Sequence, residues 1–244
     1  MHRERVLKEL AGMLVAVENK LHLVDRRRRR EDKLIERARQ LEIQWAQNKT
    51  DPKDANANET ISYRIGAYMQ MKKLEEYVRS IPDFPEKGII FRDVTSVLQD
   101  ADGLQLAIDT MQDLIKDIDY DVVVGAESRG FIFGAPIAYN NHKPFVLIRK
   151  KGKLPCETIE ETYDLEYGTA TIQIHKDAIK PGQKVLIVDD LIATGGTTEA
   201  MIHLVERLGG EVAGLVFLME LAGLKGRERL SKYRMESAII YEGK

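Results

Sequence analysis

The chain has 244 residues, 43% of them hydrophobic and 31% charged, a balance that excludes a disordered or fibrous protein and fits an ordinary globular one. A formal net charge of -2 gives the molecule as a whole no attraction for nucleic acid or an anionic membrane. The single cysteine, Cys156, excludes an intrachain disulfide, and no stretch approaches the roughly 18 apolar residues of a membrane span, so a cytoplasmic location is expected.

The first predicted element is one long helix. Leu7, Leu10, Leu14, Val17, Leu21 and Val24 form a heptad seam, which Arg26 to Arg30 interrupt and Ile35, Ala38 and Trp45 weakly resume. Such a helix does not bury its apolar stripe unaided, so residues 1–47 read as a helical or coiled-coil extension in need of a partner. Residues 48–60, NKTDPKDANANET, are polar, hold the first proline and read as a linker.

From Met71 the texture changes. The segment Ile81 to Val94, IPDFPEKGIIFRDV, reads by itself as a proline-rich loop whose Ile and Phe plug the core. A helix is predicted near 102–118, and the apolar run Val122 to Val124 reads as a strand. Directly after it comes GAESRGF, Gly125 to Phe131, where glycines flank Glu127, Ser128 and Arg129; at a strand end this suggests a loop wrapped around an anion. A helix near 131–140 and a strand at 145–148 follow. The next stretch, LIRKKGKLPCETIEETYDLEYG, carries Arg149, Lys150, Lys151 and Lys153 in quick succession. It reads as a long basic loop, either a solvated charged face or a lid over a polyphosphate. Further runs at 185–188 and 212–218 enclose a helix near 196–208. Short runs bounded by Gly, Asp or Pro suit strands buried on both faces, and their alternation with helices predicts an open α/β sheet. Ligands of such sheets bind beyond the carboxyl ends of the strands.

The sharpest signal is VLIVDDLIATGGTT, Val185 to Thr198. An apolar strand ends in Asp189 and Asp190, a loop with paired glycines follows, and a helix begins near Thr197. The glycines let the backbone approach a ligand, Thr194, Thr197 and Thr198 add donors, and the helix start favours a phosphate. The carboxylates suit sugar hydroxyls, so a ribose 5-phosphate satisfies both halves. The plainer alternative is a strand followed by an ordinary helix cap.

This segment resembles the phosphoribosyl diphosphate motif of the type I phosphoribosyltransferases. IPDFPEKGIIFRDV, GAESRGF, LEYG and LAGLKGRERL resemble the adenine phosphoribosyltransferases within that family, over about Met71 to Lys244. The resemblance implies a type I phosphoribosyltransferase fold over 71–244: an open, mostly parallel sheet flanked by helices, with a small hood and a flexible lid. It implies transfer from 5-phosphoribosyl 1-diphosphate to adenine in purine salvage, Mg2+ held mainly by the substrate, no resident metal ligands and a homodimer. It also assigns roles. Ala193, Thr194, Gly195, Gly196 and Thr197 hold the 5-phosphate, with Leu191 in the same motif, and Asp189 and Asp190 meet the ribose hydroxyls. Backbone groups of Ile90 and Arg92 read the adenine edge, and Phe91 lies against its ring. The loop of Glu127, Ser128, Arg129 and Gly130 receives pyrophosphate, with Arg129 as its cation and Arg149, Lys150 and Lys153 adding charge. Glu166 is the acid/base group near the purine, with Tyr167 beside it.

A rival from another class is a ligand-sensing transcriptional regulator built on such a domain. Residues 1–60 carry net +3, and five successive arginines suit phosphate contacts. Against it, no helix-turn-helix pattern is visible, and a sensor has no need of Glu166. A second reading of the front segment is a natural start at Met69 or Met71. His2, His22, His142, His175 and His203 are scattered without ligand spacing, and Cys156 has no nearby His to make it a nucleophile.

Overall fold

The computed structural model describes residues 72–164 and 168–243. The predicted helical extension and the linker lie outside the described residues, as do Glu166 and Tyr167. The chain divides into two units, Met1–Tyr77 and Val78–Lys244. Of the first, the described part holds a one-turn helix, α1 (Leu74–Tyr77).

The second unit begins with β1 (Arg79–Pro82) and β2 (Ile90–Asp93), which pair antiparallel with Ile81 opposite Phe91. The expected proline-rich loop is therefore confined to 83–89. Asp83 turns the chain with φ 57, and its Oδ1 accepts from Gly88 N at 2.7 Å. Phe91 packs edge-on to Phe84, centroids 5.2 Å apart, in place of the expected plug into the core. A short helix α2 (Thr95–Leu98) leads into α3 (Ala101–Ile115). Asp100 caps α3 by accepting from Asp102 N and Gly103 N, both at 3.0 Å, and Ala107, Met111 and Ile115 form its buried stripe.

The main sheet contains β3 (Val122–Ala126), β4 (Phe145–Lys150), β5 (Thr158–Asp164), β6 (Thr169–His175), β7 (Lys184–Ile192), β8 (Glu211–Leu221) and β9 (Met235–Tyr241), in the order β5-β6-β4-β3-β7-β8-β9. Strands β4, β3, β7, β8 and β9 run parallel, while β5 and β6 are antiparallel at one edge. The mostly parallel α/β sheet expected from the sequence is thus present. Helix α4 (Arg129–Asn140) packs on β3 and β7, and α5 (Gly196–Arg207) packs on the opposite face. The alternation of the strands allots the residues: Val122, Val124, Val185, Ile187, Leu215 and Phe217 join Met201, Leu204 and Val205 of α5 in one buried cluster. Gly125 faces the other way, where a Cβ would meet Gly130 O at 2.9 Å, so α4 lies closely against β3.

The expected long basic loop is a correction. Among its described residues 151–157 is loop, and the polar run after it is β5, paired along its whole length with β6. Its composition hides a period of two: Ile159, Glu161 and Tyr163 are half-buried while Glu160, Thr162 and Asp164 are exposed. Glu161 is retained on the inner side because Arg207 of α5 donates to it at 2.9 Å and His203 Nδ1 stands 3.0 Å away.

Candidate active site

Parallel strands β3 and β7 lie side by side, and the chain leaves both of them into a helix at the same edge of the sheet. Between the two exits lies a cavity of about 460 Å³. It gathers most of the sequence-predicted residues: Glu127, Ser128 and Arg129 from the first exit, and Asp189, Asp190, Leu191, Ala193, Thr194, Gly195, Gly196 and Thr197 from the second. Lys150 comes from the end of β4.

The second exit is built for an anion. Gly195 adopts φ 83, a left-handed conformation that costs glycine nothing, and so turns the strand sharply into α5. As N-cap it has no side chain to satisfy the helix's first N–H groups, in contrast to Asp100 on α3. Those donors, with the positive end of a 12-residue helix, face the cavity. Thr197 Oγ1 donates to Tyr163 Oη at 3.1 Å, across the cavity's rim.

Beside these donors stand two acids. Burial pushes the Asp189 carboxyl well above the usual carboxylate range, and the charge of Asp190 adds to the effect. Burial also raises Asp190, while Arg129 draws it part of the way back. Arg129 Nε is 2.9 Å from Asp190 Oδ2, an ion pair without the alignment of a hydrogen bond. Arg129 is half exposed and Asp190 is 4% exposed, so the cation faces the open side of the cavity.

At the first exit, one of the predicted residues has partners within the protein. Glu127 is occupied within the protein: Oε2 accepts from Arg149 Nε at 3.2 Å and from Lys150 N at 3.1 Å. Burial alone would raise its carboxyl, but those two donors outweigh it and hold Glu127 below the ordinary value. Arg149 in turn donates to Lys153 O at 3.1 Å, so Arg149 and Lys153 shape the basic turn without lining the cavity. Gly130 backs onto the acids, where a Cβ would lie 3.0 Å from Asp189 Oδ1.

Ile90, Phe91 and Arg92 lie on β2 and not on the cavity wall. The Arg92 guanidinium stacks 3.9 Å from the centre of the Tyr241 ring and donates to Ser80 Oγ. Three lining residues escaped the sequence prediction, Ala126, Tyr163 and Ile192. The alternation of β5 would have pointed Tyr163 inward; nothing in the sequence singles out Ile192.

Among the described residues no group of three or more His, Cys, Asp or Glu could hold a metal ion. Two adjacent carboxylates at an open cavity do fit a Mg2+ whose remaining ligands are substrate oxygens. No helix among the described residues is long and apolar enough to cross a membrane.

Two acids near the end of β7, which runs on through Ile192, an uncapped helix start and a basic neighbouring turn make a site suited to a phosphorylated sugar. The phosphoribosyl transferase domain family matches residues 93–243, more than half of the chain, and the chain belongs to that family. It is 67% identical over 174 residues to an adenine phosphoribosyltransferase of Agathobacter rectalis, covering 71% of this chain and 100% of the relative. A crystal structure of adenine phosphoribosyltransferase from Thermoanaerobacter pseudethanolicus is similar with a TM-score of 0.66 at 49% identity, covering 69% of this chain and 100% of that one. One from Saccharomyces cerevisiae, complexed with adenine and an imino-altritol bisphosphate, is similar with a TM-score of 0.64 at 38% identity, over 71% of this chain and 99% of that one. Within the family, the chain groups with the adenine phosphoribosyltransferases.

Proposed function

We propose that this cavity transfers the phosphoribosyl group of 5-phosphoribosyl 1-diphosphate to adenine, giving AMP and pyrophosphate in purine salvage. The observation that carries the reading is the uncapped start of α5 beside Asp189 and Asp190. The 5-phosphate takes the free N–H groups of Gly196 and Thr197 and the threonine hydroxyls. Asp189 and Asp190 accept from the ribose hydroxyls and oppose the positive charge that grows on the sugar as the anomeric bond breaks. A dication on the leaving group neutralises part of its charge when bound. Arg129 and Lys150 add fixed positive charge where pyrophosphate departs. Adenine lies toward β2, read by backbone groups of Ile90 and Arg92 and faced by Phe91, and Glu166 manages the purine proton. The basic turn 151–157 and hairpin β5–β6 serve as the lid that excludes water. A homodimer in the cytoplasm, and a helical segment over 1–47 joined by the linker 48–60, complete the proposal.

The test is nucleotide formation from phosphoribosyl diphosphate, Mg2+ and adenine, hypoxanthine or guanine in turn. AMP formation with adenine that falls by about 10²–10⁴-fold in Glu166→Gln is the expected result. Tight binding of phosphoribosyl diphosphate without turnover of any base would overturn the enzyme and return the regulator.

A further inference from the structure

The segment after β8 takes no part in the chemistry above, yet the phosphate loop rests on it. It consists of a 3-10 turn (Ala222–Leu224), Lys225 in a left-handed conformation with φ 61, and the one-turn helix α6 (Gly226–Arg229). Gly226 lies against the loop so closely that a Cβ there would overlap the Ala193 carbonyl oxygen and stand 2.7 Å from Ile192 Cγ1. From the other side, a Cβ on Gly195 would lie 3.4 Å from Gly226 Cα and O. The space between the two glycines would be filled by a Cβ on either.

What holds Gly226 there is a clamp of three elements. Glu220 of β8 is 3% exposed, and Arg227 Nε donates to its two oxygens at 2.9 and 3.2 Å. Arg227 Nη1 donates to Met235 O at 2.9 Å, and Ser237 Oγ of β9 donates to Glu220 Oε2 at 2.8 Å. A buried carboxylate needs such partners, and a guanidinium fork supplies them in fixed geometry. Burial would raise the Glu220 carboxyl, but Arg227 and Ser237 keep it below its ordinary value. On the opposite side Arg229 Nε donates to Glu199 Oε2 at 3.0 Å, and Glu199 belongs to the first turn of α5. The short helix α6 is thereby fixed both to the sheet and to the helix whose start receives the phosphate.

We propose that Gly226, held by the Glu220–Arg227 pair, is a positioning residue for the 5-phosphate: it sets the height of the Ala193–Gly195 backbone and so the aim of the donors beyond it. The inference rests on the assignment of Ala193 to Thr197 to the 5-phosphate. A shift of the loop weakens ligands that carry that phosphate and spares the pyrophosphate side, which is built from Arg129 and Lys150.

The experiment is calorimetric binding of ribose 5-phosphate and, separately, of inorganic pyrophosphate with Mg2+, to the full chain carrying Gly226→Ala, Arg227→Lys or Thr197→Ala, with melting curves for each. Gly226→Ala is expected to weaken ribose 5-phosphate by about tenfold or more, since small misplacements of a binding group are costly. Pyrophosphate should stay within about twofold on the same argument. Arg227→Lys keeps the charge and loses the fork, and should show a smaller loss confined to the same ligand. If Gly226→Ala does not fold, Arg227→Lys decides alone. Folded variants that bind both ligands like the parent, or lose both equally, overturn the proposal while Thr197→Ala still loses ribose 5-phosphate. Normal ribose 5-phosphate binding by Thr197→Ala sinks the phosphate-loop assignment itself, and this proposal with it.

Discussion

The carboxyl ends of β3 and β7 are neighbours and both bear acid groups, yet the two places treat negative charge in opposite ways. At the β3 end, Glu127 is satisfied by Arg149 and the Lys150 N–H and is held below its ordinary pKa. At the β7 end, Asp189 and Asp190 are buried side by side with Arg129 as their cation, and both are pushed up. The first acid stabilises the fold whenever it is ionised. The second pair stores electrostatic cost that a bound sugar and its cation relieve, which is the usual mark of a working site. Proximity alone does not separate the two places; what differs is how their carboxyls are partnered and buried.

The strongest way to break that comparison is Asp189→Asn. Transfer activity should fall by about 10²-fold or more, as for other electrostatic groups at a reacting centre. Melting temperature should rise at neutral pH, by about 2–4 °C for each kcal/mol relieved. The sign follows from linkage. Asp189 has a folded pKa above its unfolded value, so ionising it costs the folded state, and stability is lost as pH rises through the folded pKa. The gain of the Asn variant should therefore vanish at acid pH, where Asp189 is protonated, and grow toward neutrality. Melting curves at several pH values check it, and a loss of stability at pH 7 would sink the idea of stored cost.

Glu127→Gln should behave in the opposite sense. It weakens the hold on Arg149 and the basic turn, lowering stability by about 1 kcal/mol, the usual worth of a half-exposed charged hydrogen bond. Activity should fall only severalfold, mainly through KM for phosphoribosyl diphosphate. A denaturant series read beside steady-state kinetics checks both halves. A loss of activity as large as that of Asp189→Asn would show that Glu127 touches substrate.

The smallest effect is expected from Tyr163→Phe, which removes the partner of Thr197 Oγ1. Freed of that bond, Thr197 should bind ribose 5-phosphate slightly more tightly or unchanged, within about fivefold, since a neutral hydrogen bond is worth about 1 kcal/mol at most sites. Direct titration decides it. A tenfold loss would instead make the Tyr163 hydroxyl a ligand in its own right.

Much of this was legible in the residue order. The runs at 122–124, 145–148, 185–188 and 212–218 all fall within observed strands, and those of β3 and β7 are apolar throughout because both their faces are buried. The helices predicted near 102–118, 131–140 and 196–208 differ from α3, α4 and α5 by a few residues at their ends. Strands β5 and β6 were hidden, because an edge hairpin carries polar residues on its open side and the basic turn before it reads as loop. Strand β9 was also unread. The glycine-rich exit from β7 announced itself through chemistry that only a turn and a helix start explain.

By itself the sequence determined the class of the sheet, the places of four of its strands and the glycine-rich exit at Asp189 to Thr198. These are local matters, written in periodicity and in residues whose backbone or charge suits few other places. Tertiary structure alone decided that Glu127 meets Arg149, that Tyr163 meets Thr197, and that Gly226 lies against the loop from 31 positions after Gly195. Each depends on two distant segments meeting at a set distance, and such a meeting leaves no pattern in either segment.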